Sequence, residues 1–108
     1  MENCLFCNIV NKVIEAPVIY EDDTFIVIPD KFPKAEIHIL IFPKKHIASI
    51  GHVGQPERDI LGDMLLLAKK VAEDKALTDY KLIFNVGKYA EVPHLHLHLI
   101  SGGITGSV

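Results

Sequence analysis

Near the C-terminal end of the chain three histidines alternate with leucines, in the run His94-Leu95-His96-Leu97-His98-Leu99-Ile100. Successive side chains of an extended strand point to opposite faces. The run therefore predicts three imidazoles on one face and Leu95, Leu97 and Leu99 on the other. Imidazole titrates near neutrality, so each ring can act as nucleophile, base, acid or metal ligand at the pH of a cell. Three readings compete. A solvent-facing strand would need three polar positions to be histidine by coincidence, and half of the chain's six histidines stand here. A metal site would need the rings to converge, which is feasible because alternate strand residues lie only about 7 Å apart at Cα. Phosphoryl transfer would use a neutral imidazole as the nucleophile towards phosphorus, splitting one hard displacement into two easier ones. Its neighbours would hold phosphate oxygens or move protons.

A second group stands at the other end of the chain, where Cys4-Leu5-Phe6-Cys7 is a Cys-x-x-Cys pair. With two distant histidines such a pair can supply a tetrahedral zinc site. Spacing alone leaves two free thiols or a redox pair open. A redox pair belongs in a thioredoxin-like βαβ setting, which the element pattern does not offer.

That pattern must position both groups. Residues 4–12 predict a short helix with Leu5, Phe6, Ile9 and Val10 as its apolar side, closed by Pro17. Val18–Glu21 reads as a strand, Asp22-Asp23 as a turn, and Phe25–Ile28 as a second strand ended by Pro29 and Asp30. Ile37–Phe42 is a β-rich run ended by Pro43. Pro56 and Glu57 open the one long helix, where proline and acidic residues suit a first turn. Ile60, Met64, Leu67, Ala68 and Val71 form its apolar stripe, and it should end near Lys75–Leu77. Lys81–Val86 and His94–Ile100 are the last two strands, and Ser101–Val108 is a loose tail. The expectation is an α+β fold: a five-stranded antiparallel sheet with one long helix covering a face and one short helix.

The 108 residues, 49% hydrophobic, predict a single domain spanning 1–108. A domain of this size buries only roughly two-thirds of its unfolded surface, so a partner subunit is expected to help. A net charge of −3 argues against nucleic acid as a partner. No apolar run approaches the roughly 20 residues of a membrane helix, and Met1–Phe6 lacks a signal-peptide start. A cytoplasmic location is expected, where paired cysteines are thiols or metal ligands rather than a structural disulfide.

The run His94–Ile100 resembles the His-φ-His-φ-His-φ-φ signature of the histidine triad (HIT) superfamily, φ being apolar. Cys4–Cys7, Tyr20-Glu21-Asp22, Ile28-Pro29-Asp30, Ile37-His38 and Ile41–His46 also resemble the Hint branch, in the same order, so the likeness covers nearly the whole chain. The resemblance implies a homodimer with one sheet continued across both subunits. It implies hydrolysis of purine nucleoside phosphoramidates, or related nucleoside monophosphate derivatives, with no metal needed for the chemistry. His96 would be the nucleophile, His98 would hold phosphate oxygens, and His38 and His94 would complete the catalytic histidines. Asp30 would accept from the ribose hydroxyls and Asn85 would face the phosphate. Leu5, Phe6, Ile9, Ile28 and Val92 would wall the base. A subset of bacterial Hint-like proteins is similar in carrying the cysteine pair; there the implied ligands of a structural zinc are Cys4, Cys7, His46 and His94.

One segment departs from the family pattern. Where Gly-Gln-Ser-Val usually precedes the triad, this chain has Tyr89-Ala90-Glu91-Val92-Pro93, with Ala90 and Glu91 at the glutamine and serine positions. Glu91 sets a negative charge near a negative substrate. Three other readings stay open: cleavage of dinucleoside polyphosphates in the manner of the Fhit branch, a weakly catalytic nucleotide-binding or interaction module, and a zinc-binding structural protein.

Overall fold

Two runs of the chain, Phe25–Pro29 and Ile37–Pro43, are buried almost throughout rather than alternately. A strand with no polar face must be covered on both sides, and these two lie at the centre of the sheet. The computed structural model describes residues 3–104, so part of the expected tail, 105–108, lies outside the described residues. The elements are α1 (Leu5–Val10), β1 (Tyr20–Glu21), β2 (Phe25–Pro29), β3 (Ile37–Pro43), α2 (Arg58–Asp74), β4 (Lys81–Ile83) and β5 (Leu97–Ser101), with short 3₁₀ turns at Ile50–His52, Gln55–Glu57 and Gly87–Tyr89. The strands form one antiparallel sheet in the order β1-β2-β3-β5-β4.

Alternation divides the sheet's side chains between two layers. Phe25, Val27, Ile39, Ile41, Leu95, Leu97 and Leu99 pack against Met64, Ala68, Val71 and Ala72 of α2 and form the main core. Ile26, Ile28, Leu40 and Phe42 point the other way and meet Phe6, Cys7 and Ile9 of α1 in a smaller core. The stacked rings of Phe6 and Phe42, with centroids 4.3 Å apart, join helix to sheet. The long helix therefore covers one face as expected, and α1 covers the other. α2 begins at Arg58, after the Gln55–Glu57 turn in which Glu57 Oε1 accepts from the Gly54 N–H.

Three strands are shorter than expected. β1 holds only Tyr20 and Glu21, and β4 only Lys81–Ile83. β5 starts at Leu97, so His94 and His96 precede the ladder instead of belonging to it. The last rungs explain the last two differences: β3 pairs with β5 as far as Ile41↔Leu97, and β4 as far as Ile83↔His98. Before that point Pro93 has no N–H, the His94 N–H donates to Val92 C=O, and the Leu95 N–H turns to Ile47 C=O. The approach stays extended, so the histidine/leucine alternation survives outside the hydrogen-bonded strand. Among the described residues no helix is long and apolar enough to cross a membrane.

Candidate functional site

Register brings the histidines together. His38, Leu40 and Phe42 share one face of β3, and Leu40 stands opposite His98 while His38 stands opposite Ile100. His38 and His98 are thus diagonal neighbours on the α1 face, with Nε2 of His38 2.8 Å from Nδ1 of His98. The His96 ring lies beside both His98, 4.8 Å between centroids, and Phe6, 5.0 Å edge-on.

Main-chain partners settle which nitrogen of each ring carries hydrogen. The Lys34 N–H donates to His38 Nδ1 at 2.9 Å. A neutral His38 must therefore hold its proton on Nε2, where it donates to His98 Nδ1 and lies 3.3 Å from Asp30 Oδ2. His98, accepting at Nδ1, then carries its proton on Nε2. Asn85 Nδ2 stands 3.4 Å from that nitrogen, so two N–H donors face one small volume, a pattern that an anionic oxygen completes. His96 is oriented from the other side: its Nδ1 lies 2.7 Å from the His94 carbonyl. Nδ1–H must donate there, so in the neutral ring the lone pair lies on Nε2.

Burial keeps the relay neutral. Loss of hydration pushes His98 down to about 4, helped by the neighbouring His96 and His38. Burial also lowers His38, although the Asp30 carboxylate opposes it. At neutral pH these rings are dipolar donors rather than cations.

The cavity beside the relay is about 190 Å³ and is lined by Asp30, Lys34, His38, Ile83, Asn85, Glu91, His98 and Ile100. This is smaller than the roughly 300–1,000 Å³ that holds a drug-sized ligand and suits a phosphoryl group rather than a whole nucleotide. Asp30, His38, Asn85 and His98 are thus gathered at one place. His96 stands beside this group through its contact with His98 but does not line the cavity, and neither do Leu5, Phe6, Ile9, Ile28 and Val92. Phe6, Ile9 and Ile28 are buried in the smaller core, and Val92 packs against it. Leu5 is 44% exposed on α1. Ile9 instead borders a separate cavity of about 670 Å³ formed with Lys12 and residues 14–18. Lys34 carried no signal in the sequence, because it orients His38 through its main-chain N–H, a group every residue but proline has.

His94 belongs to the other group. It is fully buried, and its Nε2 lies 2.7 Å from the Pro43 carbonyl, so Nε2–H donates there and Nδ1 is left as a lone pair. That lone pair faces Cys4 Sγ at 3.3 Å, Cys7 Sγ at 3.5 Å and His46 Nδ1 at 3.2 Å, and Cys7 Sγ is 3.2 Å from His46 Nδ1. Four donor atoms lie within 4.8 Å of one another. A tetrahedral ion with sulfur at about 2.3 Å and nitrogen at about 2.0–2.1 Å has S···N and N···N edges of about 3.3–3.6 Å. The cluster is compatible with such a metal site. A carbonyl that fixes the outer nitrogen of a ligating imidazole is the usual support for one. Without a cation the same burial, together with Cys4, pushes the Cys7 thiol up to about 11; a metal would have to displace its proton. His94 thus serves the two groups through different atoms, its ring in the Cys4–Cys7–His46 cluster and its carbonyl on His96.

The chain matches the family model described as "Scavenger mRNA decapping enzyme C-term binding" over residues 3–107. It is 39% identical to protein HitA of Neisseria gonorrhoeae over 103 residues, 93% of this chain and 96% of that protein. Among solved structures it is similar to a HIT family hydrolase from Legionella pneumophila, with 43% identity, 95% of each chain covered and a TM-score of 0.89. It is also similar to a histidine triad protein from Clostridium difficile, with 34% identity, 100% of this chain and 97% of that one covered, and a TM-score of 0.93.

Proposed function

Because the chain belongs to the histidine triad family, we propose that it is a hydrolase of purine nucleoside phosphoramidates acting through a nucleotidyl–His96 intermediate. One observation carries the reading: the 2.7 Å contact from His96 Nδ1 to the His94 carbonyl fixes the tautomer that a nucleophile needs. In the first step the His96 Nε2 lone pair attacks phosphorus, the P–N bond to the amine breaks, and the amine leaves with a proton from solvent. In the second step water attacks phosphorus and the P–Nε2 bond breaks. Nucleoside monophosphate departs and the proton of the water returns to solvent. His98 Nε2–H and the Asn85 amide hold the phosphoryl oxygens throughout, being N–H donors 3.4 Å apart. Asp30 receives the ribose hydroxyls, and Leu5, with Phe6, Ile9, Ile28 and Val92 behind it, provides the apolar wall for the base.

Zinc is the ion proposed for Cys4, Cys7, His46 and His94. Four protein ligands leave no open coordination position, so its contribution is structural: it fastens α1 to the segment that carries His94. The homodimer contact is placed on the β4 edge of the sheet, where Leu82 is exposed; light scattering of the purified protein checks it. The function is tested with a fluorogenic adenosine phosphoramidate. His96→Ala should lower turnover at least about 10³-fold, and rapid quench of the wild type in alkaline detergent, where a P–N bond to histidine survives, should trap label from the nucleotide on His96. Full activity in the variant would remove the nucleophile from the scheme.

A further inference from the structure

The cavity that would hold the phosphoryl group carries an unusual charge for an anion-binding site. Its lining includes two carboxylates, Asp30 and Glu91, and one cation, Lys34. The two histidines add no positive charge at neutral pH, since burial lowers both His38 and His98. At neutral pH the lining therefore sums to about one negative charge, from two acids and one base. A phosphate diester or amide monoanion entering here meets net repulsion unless another part of the substrate compensates.

Asp30 is already engaged within the protein. Its Oδ1 accepts from the Phe32 N–H at 2.8 Å and its Oδ2 lies 3.3 Å from His38 Nε2. Glu91 is different. It sits in the bend that leads into His94, is exposed, and still reaches the cavity wall. Its charge also acts on His38 across the cavity. It is the acidic group placed to meet whatever part of a substrate projects from the phosphoryl site towards solvent.

We propose that Glu91 is a specificity-determining residue that selects substrates whose leaving group is a positively charged amine, such as a diamine or an amino-acid side chain bearing an ammonium. An ammonium group on the leaving portion meets the Glu91 carboxylate while the phosphoryl oxygens meet the N–H groups of His98 and Asn85. The same carboxylate repels leaving groups that are themselves anionic, among them carboxylate-bearing amines and nucleoside polyphosphates. The proposal rests on the phosphoramidate reading and deepens it by naming the class of amine. Lys34, on the same wall, acts in the opposite sense.

The test uses three adenosine 5′-phosphoramidates of similar size, made with 1,2-diaminoethane, propylamine and β-alanine, which carry a cationic, a neutral and an anionic leaving group. The readout is the ratio of kcat/KM for the cationic over the anionic compound. In the wild type this ratio should be about tenfold or more, as two charges of opposite sign near a carboxylate at a protein surface imply. It should fall as salt is raised, because Glu91 is exposed. Glu91→Gln should bring the ratio towards one, and Lys34→Gln should raise it. A carboxylate with a merely structural role would not move the ratio, and opposite shifts from the two substitutions exclude a general loss of fold. A wild-type ratio near one, or a ratio unchanged by Glu91→Gln, overturns the proposal. If none of the three compounds is turned over, the hydrolase reading fails. Binding of the same compounds by calorimetry then still decides the charge preference, with equal affinities overturning it.

Discussion

Two clusters of ligand-type side chains lie on the same face of the sheet, and they are built in opposite ways. Cys4, Cys7, His46 and His94 bring four donor atoms within 4.8 Å, and so do Asp30, His38 and His98 with three. By proximity alone both resemble metal sites. The main chain separates them. At His94 a carbonyl, that of Pro43, accepts from the N–H of the outer nitrogen, which turns the lone pair inward. At His38 an N–H, that of Lys34, occupies the outer nitrogen and turns the proton inward. The first arrangement suits a cation. The second would make His38 a ligand only as an imidazolate, and it suits a chain of donors running from Lys34 through His38 and His98 to the cavity. The partner of the second ring nitrogen decides which chemistry a buried histidine can do.

That contrast can be broken in several places. The largest effect is expected at the metal cluster. Cys7→Ala should abolish stoichiometric metal in protein purified without chelator and lower unfolding stability by at least about 3 kcal/mol. Elemental analysis and urea denaturation check it, and equal metal and stability in the variant would place the ion elsewhere. The donor chain should show itself in acid. His98 is held at about 4, below its ordinary 6.5. In the folded state it therefore binds fewer protons than in the unfolded one. Its contribution is fully present above about pH 6.5 and is lost as pH falls through about 4, a change on the order of 3 kcal/mol. His98→Asn should flatten this part of the stability–pH curve relative to the wild type; an unchanged slope would mean that the proton goes elsewhere. The smallest effect is expected at His38. Substitution by Asn, whose Oδ1 can still accept from the Lys34 N–H, should cost about 1–2 kcal/mol and leave the metal content unaltered. Loss of metal in His38→Asn would merge the two clusters into one functional unit.

Much of this arrangement was legible beforehand because it depends on periodicity. The alternation at 94–100 assigned the histidines to one face and the leucines to the other, and Leu95, Leu97 and Leu99 do lie in the main core. The apolar stripe of α2 was readable for the same reason. The resemblance named the four members of the Cys/His cluster and the residues of the Asp30–His38–His98 group. Strand lengths were not readable, because they depend on where distant segments stay paired: β5 begins only at Leu97, since the residues before it leave the ladder with β3 and the Leu95 N–H turns to Ile47 C=O, a fact of pairing rather than of residue type. The placement of Glu91 was only half readable. Its departure from the family pattern is visible in the chain, but its place on the cavity wall is not.

Local order in the chain determined which residues could do chemistry and on which face of the sheet they would stand, since side-chain direction follows from backbone period. Tertiary structure alone decided what each histidine can do. The carbonyls of Pro43 and His94 and the N–H of Lys34 set the tautomers. Main-chain groups are the same at nearly every position, so nothing in the residue letters marks them, and only the folded register of distant segments brings them to the rings.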